Sequence, residues 1–306
     1  MQIIRRLVGP VLLLLPLALE ACAAEQRPTN TTSVSAPLDA ARPMAGLEPE
    51  PITIPQSAQS AAYNTLRTAL NEGTAAIDGG DRAKTGDALA RSRAGYESDF
   101  VAPTRSADAD LNDRILKADD AMAAAAKDGD APAYRISRYV IDVGILRLAT
   151  LRTRALLGSG DRSEAEKWLS VVANRFDLAK DVQPLGAAWK RVQSGPLDAA
   201  TQKVVNLSLG GYLATKMRGE LKGAVGGLDE KNAAKARWEL SGGMAYYDAI
   251  KEIVQQQLGA GGAKKMLESL QGADTAIVGE DDARARTLLQ TVTAQLDTLD
   301  NSIAGA

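Results

Sequence analysis

The stretch Ala236-Arg-Trp-Glu-Leu240-Ser-Gly-Gly243-Met-Ala-Tyr-Tyr247-Asp-Ala-Ile250-Lys-Glu-Ile-Val254-Gln-Gln-Gln-Leu258 repeats its apolar and small residues at steps of three and four. Residues spaced this way share one face of an α-helix and leave the polar residues on the other. The same spacing recurs outward from it. Leu66, Leu70, Gly73 and Ile77 form one stripe, and Leu111, Ile115, Ala118, Met122 and Ala125 another. Ala165, Leu169, Val172 and Phe176 form a third; Leu288, Val292, Leu296, Leu299 and Ile303 close the chain. No sustained period-two run with turn signals interrupts them, so a sheet is not expected. The fold class is all-α.

Start and stop signals divide this pattern. Asp81, Asp108, Asp161, Asp198 and Asp229 stand where a carboxylate can accept the free N–H groups of a first helical turn. Gly79-Gly80, Gly129, Gly158 to Gly160, Gly226-Gly227 and Gly259 to Gly262 supply breaks. Helices are predicted over 57–78, 82–101, 108–128, 132–157, 161–175, 185–194, 197–225, 229–258, 262–272 and 280–303. The Gly-Asp turn recurs at Gly80-Asp81, Gly129-Asp130 and Gly160-Asp161, at unequal spacings of 49 and 31 residues. Antiparallel hairpins of a bundle explain such turns, and a helical-repeat scaffold is the alternative.

The predicted helix 132–157 is apolar nearly all round, through Ile136, Tyr139, Val140, Ile141, Val143, Ile145, Leu146 and Leu148. Such a helix belongs inside a bundle. Arg135, Arg138, Asp142 and Arg147 interrupt it. Arg138 and Asp142 are spaced for a buried ion pair. Arg135 and Arg138 are, alternatively, a candidate anion-binding pair.

The N-terminus has the form of an export address. Arg5 and Arg6 precede a short apolar run from Leu7 to Leu19, too short to span a membrane, and small residues follow. The only Cys lies in Leu19-Glu20-Ala21-Cys22. That order resembles the lipobox of bacterial lipoproteins, in which the thiol carries a diacylglycerol. Glu20 departs from the pattern, and ordinary cleavage after Ala23 is the alternative. A lone Cys otherwise without use favours lipidation at Cys22. Six of the 12 prolines then fall between Pro28 and Pro55, a composition that resists helix and sheet alike. The expected organisation is a signal peptide over 1–21, a disordered, lipid-anchored tether over 22–56, and an all-helical antiparallel bundle over 57–306, divisible into two packed sub-bundles.

Composition removes whole classes of chemistry. The 306 residues include no His and 1 Cys. That excludes Ser-His-Asp and Cys-His catalysis, His-ligated zinc or haem, and iron–sulfur clusters. A net charge of −2 gives no footprint for nucleic acid. No Gly-x-x-x-x-Gly-Lys-Ser/Thr sequence is present, and no spacing singles out a pair of catalytic acids. An enzyme is not expected, and no cofactor is implied.

What remains for metal chemistry is oxygen, from carboxylates and phenols, which suits hard cations such as calcium or ferric iron. Asp108, Asp110 and Asn112 imitate the start of a calcium loop, but Asp113 replaces its Gly and Asp119 its closing Glu. An acidic helix N-terminus explains these residues without an ion. Tyr96 and Asp99 are spaced to share a helix face and form a candidate metal site. Glu239, Tyr246, Tyr247 and Asp248 are the candidates for completing its shell from another helix.

Residues 80–125 contain Gly80-Asp81, Ala94-Gly95-Tyr96-Glu97-Ser98-Asp99-Phe100, Ala109-Asp110-Leu111 and Ile115. In this order they resemble the periplasmic helical domain attached to bacterial high-affinity iron permeases. Ala236 to Ile250, with Glu239, Tyr246 and Tyr247, resembles helices of secreted bundles linked with imelysin-like iron proteins. Two departures stand out: Val101 and Ala102 occupy the places of acids after Phe100, and the His-containing motif of imelysins is absent. The resemblance implies a non-catalytic helical domain of the cell envelope that serves metal uptake, with ferric iron or another hard cation as ligand and a permease or other envelope protein as partner. The rival expectation is a docking scaffold with no small ligand.

Overall fold

The computed structural model describes residues 54–175 and 183–305. Every regular element among them is a helix: α1 (Ala58–Asp78), α2 (Arg82–Asp99), α3 (Val101–Ala107), α4 (Ala109–Asp128), α5 (Ala131–Ser159), α6 (Arg162–Arg175), α7 (Gln183–Ser194), α8 (Ala199–Asp229), α9 (Ala233–Val278) and α10 (Asp282–Ala304). Cys22, the signal segment, the tether as far as residue 53 and Phe176 lie outside the described residues. Ile54 is already buried, and the Ser57 hydroxyl donates to the Lys167 carbonyl at 2.8 Å, so the packed domain includes residues just before α1.

One junction is used five times. A residue in the left-handed region is followed by an Asx that caps the next helix: Gly80-Asp81, Gly129-Asp130, Gly160-Asp161, Lys231-Asn232 and Glu280-Asp281. In each, the Asx N–H reaches back to a carbonyl five residues earlier, at 2.8 to 2.9 Å. The same Asx side chain accepts an N–H of the following helix. The junction therefore closes one helix and opens the next within two residues. Glycine makes the turn visible in three cases. Lys231 (φ 54°) and Glu280 (φ 58°) make it without glycine.

These short junctions produce antiparallel hairpins: α1 with α2, α4 with α5, α5 with α6, α8 with α9. Closure contacts of α1 with α5 and α6, and of α8 with α10, make bundles rather than an open solenoid. Helix α9 is itself a hairpin. Gly259 takes φ 73° and ψ 171°, a conformation glycine adopts without steric cost, and the chain folds back there. The proof is in the side chains. Tyr247 donates to the Ala263 carbonyl at 2.9 Å, and Arg237 pairs with Asp274 at 2.9 Å. In a straight helix the latter two would lie roughly 55 Å apart.

Helices α8, the two limbs of α9, and α10 thus form one bundle. It packs on the α1–α6 bundle mainly through α5 against α9. From Ile141 to Thr150 every residue of α5 is buried. The stripes at Leu66 to Ile77, Leu111 to Ala125 and Ala236 to Val254 are buried as their spacing requires.

Three boundaries differ from the sequence reading. Residues 101–107 form α3, with Pro103 in its first turn, where no internal N–H is required. The expected break at Gly226-Gly227 is helical, so Asp229 ends α8 and Asn232 caps α9. The second limb of α9 runs to Val278, beyond the predicted end at 272.

Candidate functional site

Helices α1 and α5 run antiparallel and exchange polar groups like rungs. The Tyr63 phenol donates to Asp142 at 2.6 Å, Arg138 donates to Asn71 at 2.6 Å, and Arg135 donates to Asp78. Asp142 is fully buried and also accepts from Arg175 at 3.1 Å, with Arg138 at 3.9 Å. Burial pushes its carboxyl up, but Arg175, then Arg138, the Tyr63 hydrogen bond and Arg67 outweigh it. The net position is below the usual carboxylate range. The sequence reading paired Arg138 with Asp142; in the structure Arg175 is the closer partner.

On the α9 side of α5, a second polar group takes a different form. Glu220 of α8 and Glu239 of α9 each lie against a glycine of the other's helix, and the Tyr139 phenol donates to Glu220 Oε2 at 2.8 Å. Glu239 also accepts from Trp238 Nε1 at 3.1 Å. Arg135 stacks over the Trp238 ring, 4.3 Å from its centre. A neighbouring carboxylate disfavours the charged form of an acid, as burial does. Burial and the neighbouring Glu239 push Glu220 up to about 7. Burial also pushes the Tyr139 phenol well up, helped by Glu220, so it is a proton donor at neutral pH.

Space for the pair is made by two glycines. A Cβ at Gly223 would stand 2.8 Å from a Glu239 carboxylate oxygen, and one at Gly242 would stand 2.8 Å from Glu220. The arrangement is reciprocal because the sequence is. Arg218-Gly-Glu220-Leu-Lys-Gly223 and Arg237-Trp-Glu239-Leu-Ser-Gly242 are two copies of Arg-x-Glu-Leu-x-Gly on antiparallel helices. In both, the Arg turns outward to acids: Arg218 to Asp297 and Asp300, Arg237 to Asp274. Both leucines are buried, and each Glu faces the other copy's Gly. Glu220 belongs to neither a Gly-Asp turn nor a Tyr-acid pair, the patterns that single out candidates in the sequence. The repeated hexapeptide is the signal that finds it.

The sequence-derived candidates separate. Glu239 lies in the carboxyl pair. Tyr246 is buried nearby, and its phenol is pushed well up by burial, with the charges of Arg175, Asp142 and Glu220 acting on it. Tyr96 and Asp99 do not converge: the Tyr96 phenol donates to Asn112 at 3.1 Å, while Asp99 is exposed and bonded to Ser98. Tyr247 is spent on the Ala263 carbonyl. Asp248 faces three cations, Arg114 at 2.9 Å, Lys251 at 3.1 Å and Arg147 at 3.7 Å. Asp108 caps α4 and pairs with Arg147 at 2.9 Å, so the loop-like acids hold a helix end. Arg135 and Arg138 diverge to different rungs. Among the described residues, no group of three Asp, Glu, His or Cys side chains converges as a metal shell. The two carboxyl groups and the Tyr139 phenol are oxygen groups of hard character, the kind that suits hard cations.

None of the described helices is long and apolar enough to cross a membrane. Neither the curated proteins nor the solved structures contain a match to this chain. The family model described as "Iron permease FTR1 N-terminal domain" matches residues 56–295, from just before α1 into α10. That span includes the α1–α5 rungs and both hexapeptides, and it makes the chain a member of the iron permease FTR1 N-terminal domain family, which links it to iron uptake.

Proposed function

We propose that this protein is a non-catalytic, exported envelope protein, lipid-anchored through Cys22, whose helical bundle holds ferric iron as cargo between Glu220, Glu239 and Tyr139. The carrying observation is the pair of carboxyl groups brought together by two copies of one hexapeptide. Two acids brought together across glycine-made space are costly as a purely structural device. They gain when a cation replaces the proton on Glu220. Binding at this pair releases that proton, and ligation by Tyr139 releases the phenol proton as well. Membership of an iron-permease family supports iron as the cargo, and a permease or other envelope protein as the partner that receives it.

The test is titration of the full-length protein with ferric nitrilotriacetate, followed by calorimetry and visible absorption. A saturable site is expected. Glu220→Gln and Glu239→Gln should each weaken it at least about tenfold, and Tyr139→Phe should remove any phenolate-to-iron band. Tyr96→Phe should change nothing. Absence of saturable binding would leave the docking scaffold as the function. For the anchor, a fatty-acid analogue fed to cells should label the wild type and not Cys22→Ser. Equal release of both forms in soluble form would refute lipidation.

A further inference from the structure

Three antiparallel rungs join α1 to α5, and a fourth side chain on the same face has no counterpart. Arg67 lies four residues after Tyr63 and four before Asn71, so it projects from α1 between the Tyr63–Asp142 and Asn71–Arg138 rungs. Its Nε is buried without an acceptor, and so is the Nε of Arg138. The carboxylate beside them, Asp142, already binds the Tyr63 phenol and Arg175. The charges of Arg175, Arg138 and Arg67 all act on Asp142, and that of Arg138 acts on Glu220 as well. Burial, followed by the nearby guanidiniums of Arg175 and Arg138, loosens Arg67's hold on its own proton. Neither Arg67 nor Arg138 is sealed from solvent; the Arg138 side chain keeps 16% of its surface.

Buried N–H donors with excess positive charge are stabilised by an oxyanion, and guanidinium groups match carboxylate and phosphate geometry better than any other side chain. We propose that Arg67 and Arg138, positioned by Asn71 and Asp142, form a binding site for the carboxylate or phosphate group of a small anion entering the α1–α5 seam. The site uses none of the residues proposed to hold the cation, so either proposal can fail without the other. The anion accepts one hydrogen bond from each Nε and brings negative charge to Arg67 and Arg138.

The full-length protein, free of added metal, is titrated with sodium phosphate and separately with sodium acetate, at constant ionic strength set by chloride. Calorimetry and urea unfolding report the result. Saturable binding of at least one anion is expected, with stability rising as the site fills. Arg67→Gln and Arg138→Gln should weaken binding about tenfold or more. Arg67→Lys, which keeps the charge and loses the fork, should weaken it too. Arg91→Gln, at an exposed pair with Glu72, should leave binding intact. Without the anion, Arg67→Gln should be at least as stable as the wild type, because a half-buried cation whose Nε has no acceptor has been removed. Saturation by phosphate alone would assign a phosphate group, and by acetate alone a carboxylate. Binding of both no better than chloride, or unchanged binding by Arg67→Gln, would overturn the proposal. So would an Arg67→Gln protein markedly less stable than the wild type in chloride.

Discussion

Asp142→Asn is expected to lower the stability of the fold by about 3–5 kcal/mol at neutral pH, the range for removing one partner of a buried charge pair. Asp142 is buried, with almost no exposed surface to soften the loss. Its oxygens accept from the Tyr63 phenol at 2.6 Å and from Arg175 at 3.1 Å. Asparagine keeps the shape and one acceptor, but removes the negative charge that Arg175, Arg138 and Arg67 all act on. The pH dependence has a definite sign. The carboxyl lies below its ordinary position in the folded state, so the unfolded chain takes up the proton first as pH falls. The stabilisation is therefore present above the usual Asp range and is lost as pH drops through the folded value. Urea unfolding at pH 7 and again at pH 3 to 4 checks this. The gap between wild type and Asp142→Asn should narrow at the acid end. A difference below about 1 kcal/mol at pH 7 would mean that the cluster does not depend on this acid.

The helical class and most of the core were legible in sequence because both follow from spacing. Leu240 and Ile250 are buried where a period near 3.6 puts them. The Gly-Asp junctions were legible because glycine advertises the left-handed turn. Lys231-Asn232 makes the same turn without that signal, and the sequence reading placed the start of α9 at Asp229 instead. Gly226-Gly227 imitated a stop but lies within α8. A glycine in a helix can end it, or let a neighbour come close. Only tertiary contacts distinguish the two, and a Cβ at Gly227 would meet the α9 backbone at Ala236 N. The site was less legible for the same reason. Tyr96 and Asp99 are close in sequence, but the phenol turns inward to Asn112 and the carboxylate outward. Glu220 and Glu239 are 19 positions apart and meet only because α8 and α9 are antiparallel. Asp248 had the right chemistry for a metal, and Arg114, Arg147 and Lys251 from around it neutralise that chemistry.

Glu220→Gln is expected to change how stability depends on pH, by up to about 3 kcal/mol at pH 8. Burial and Glu239 raise the Glu220 carboxyl from an ordinary 4.5 to about 7. Between those values the folded protein holds a proton that the unfolded chain has released. Raising pH through this window therefore favours unfolding, and above about 7 the cost stays constant. Glutamine mimics the protonated acid: its amide can donate to Glu239 and accept from Tyr139, with no charge to desolvate. At pH 4 the two proteins should be nearly equal in stability. By pH 8 the wild type should have fallen behind by an amount set by the shift. Urea unfolding of the full-length protein from pH 4 to pH 8, without metal, gives the curve. Parallel curves for wild type and Glu220→Gln would show that the pair does not hold that proton. A converging family of curves when ferric nitrilotriacetate is added would tie the same group to the cation, since a bound ion removes the repulsion that raises it. The opposite pH trends of Asp142 and Glu220 make the two polar groups separable in one experiment. Asp142 weakens the fold as acid is added, and Glu220 weakens it as base is added. Each replacement should flatten only its own limb of the stability profile.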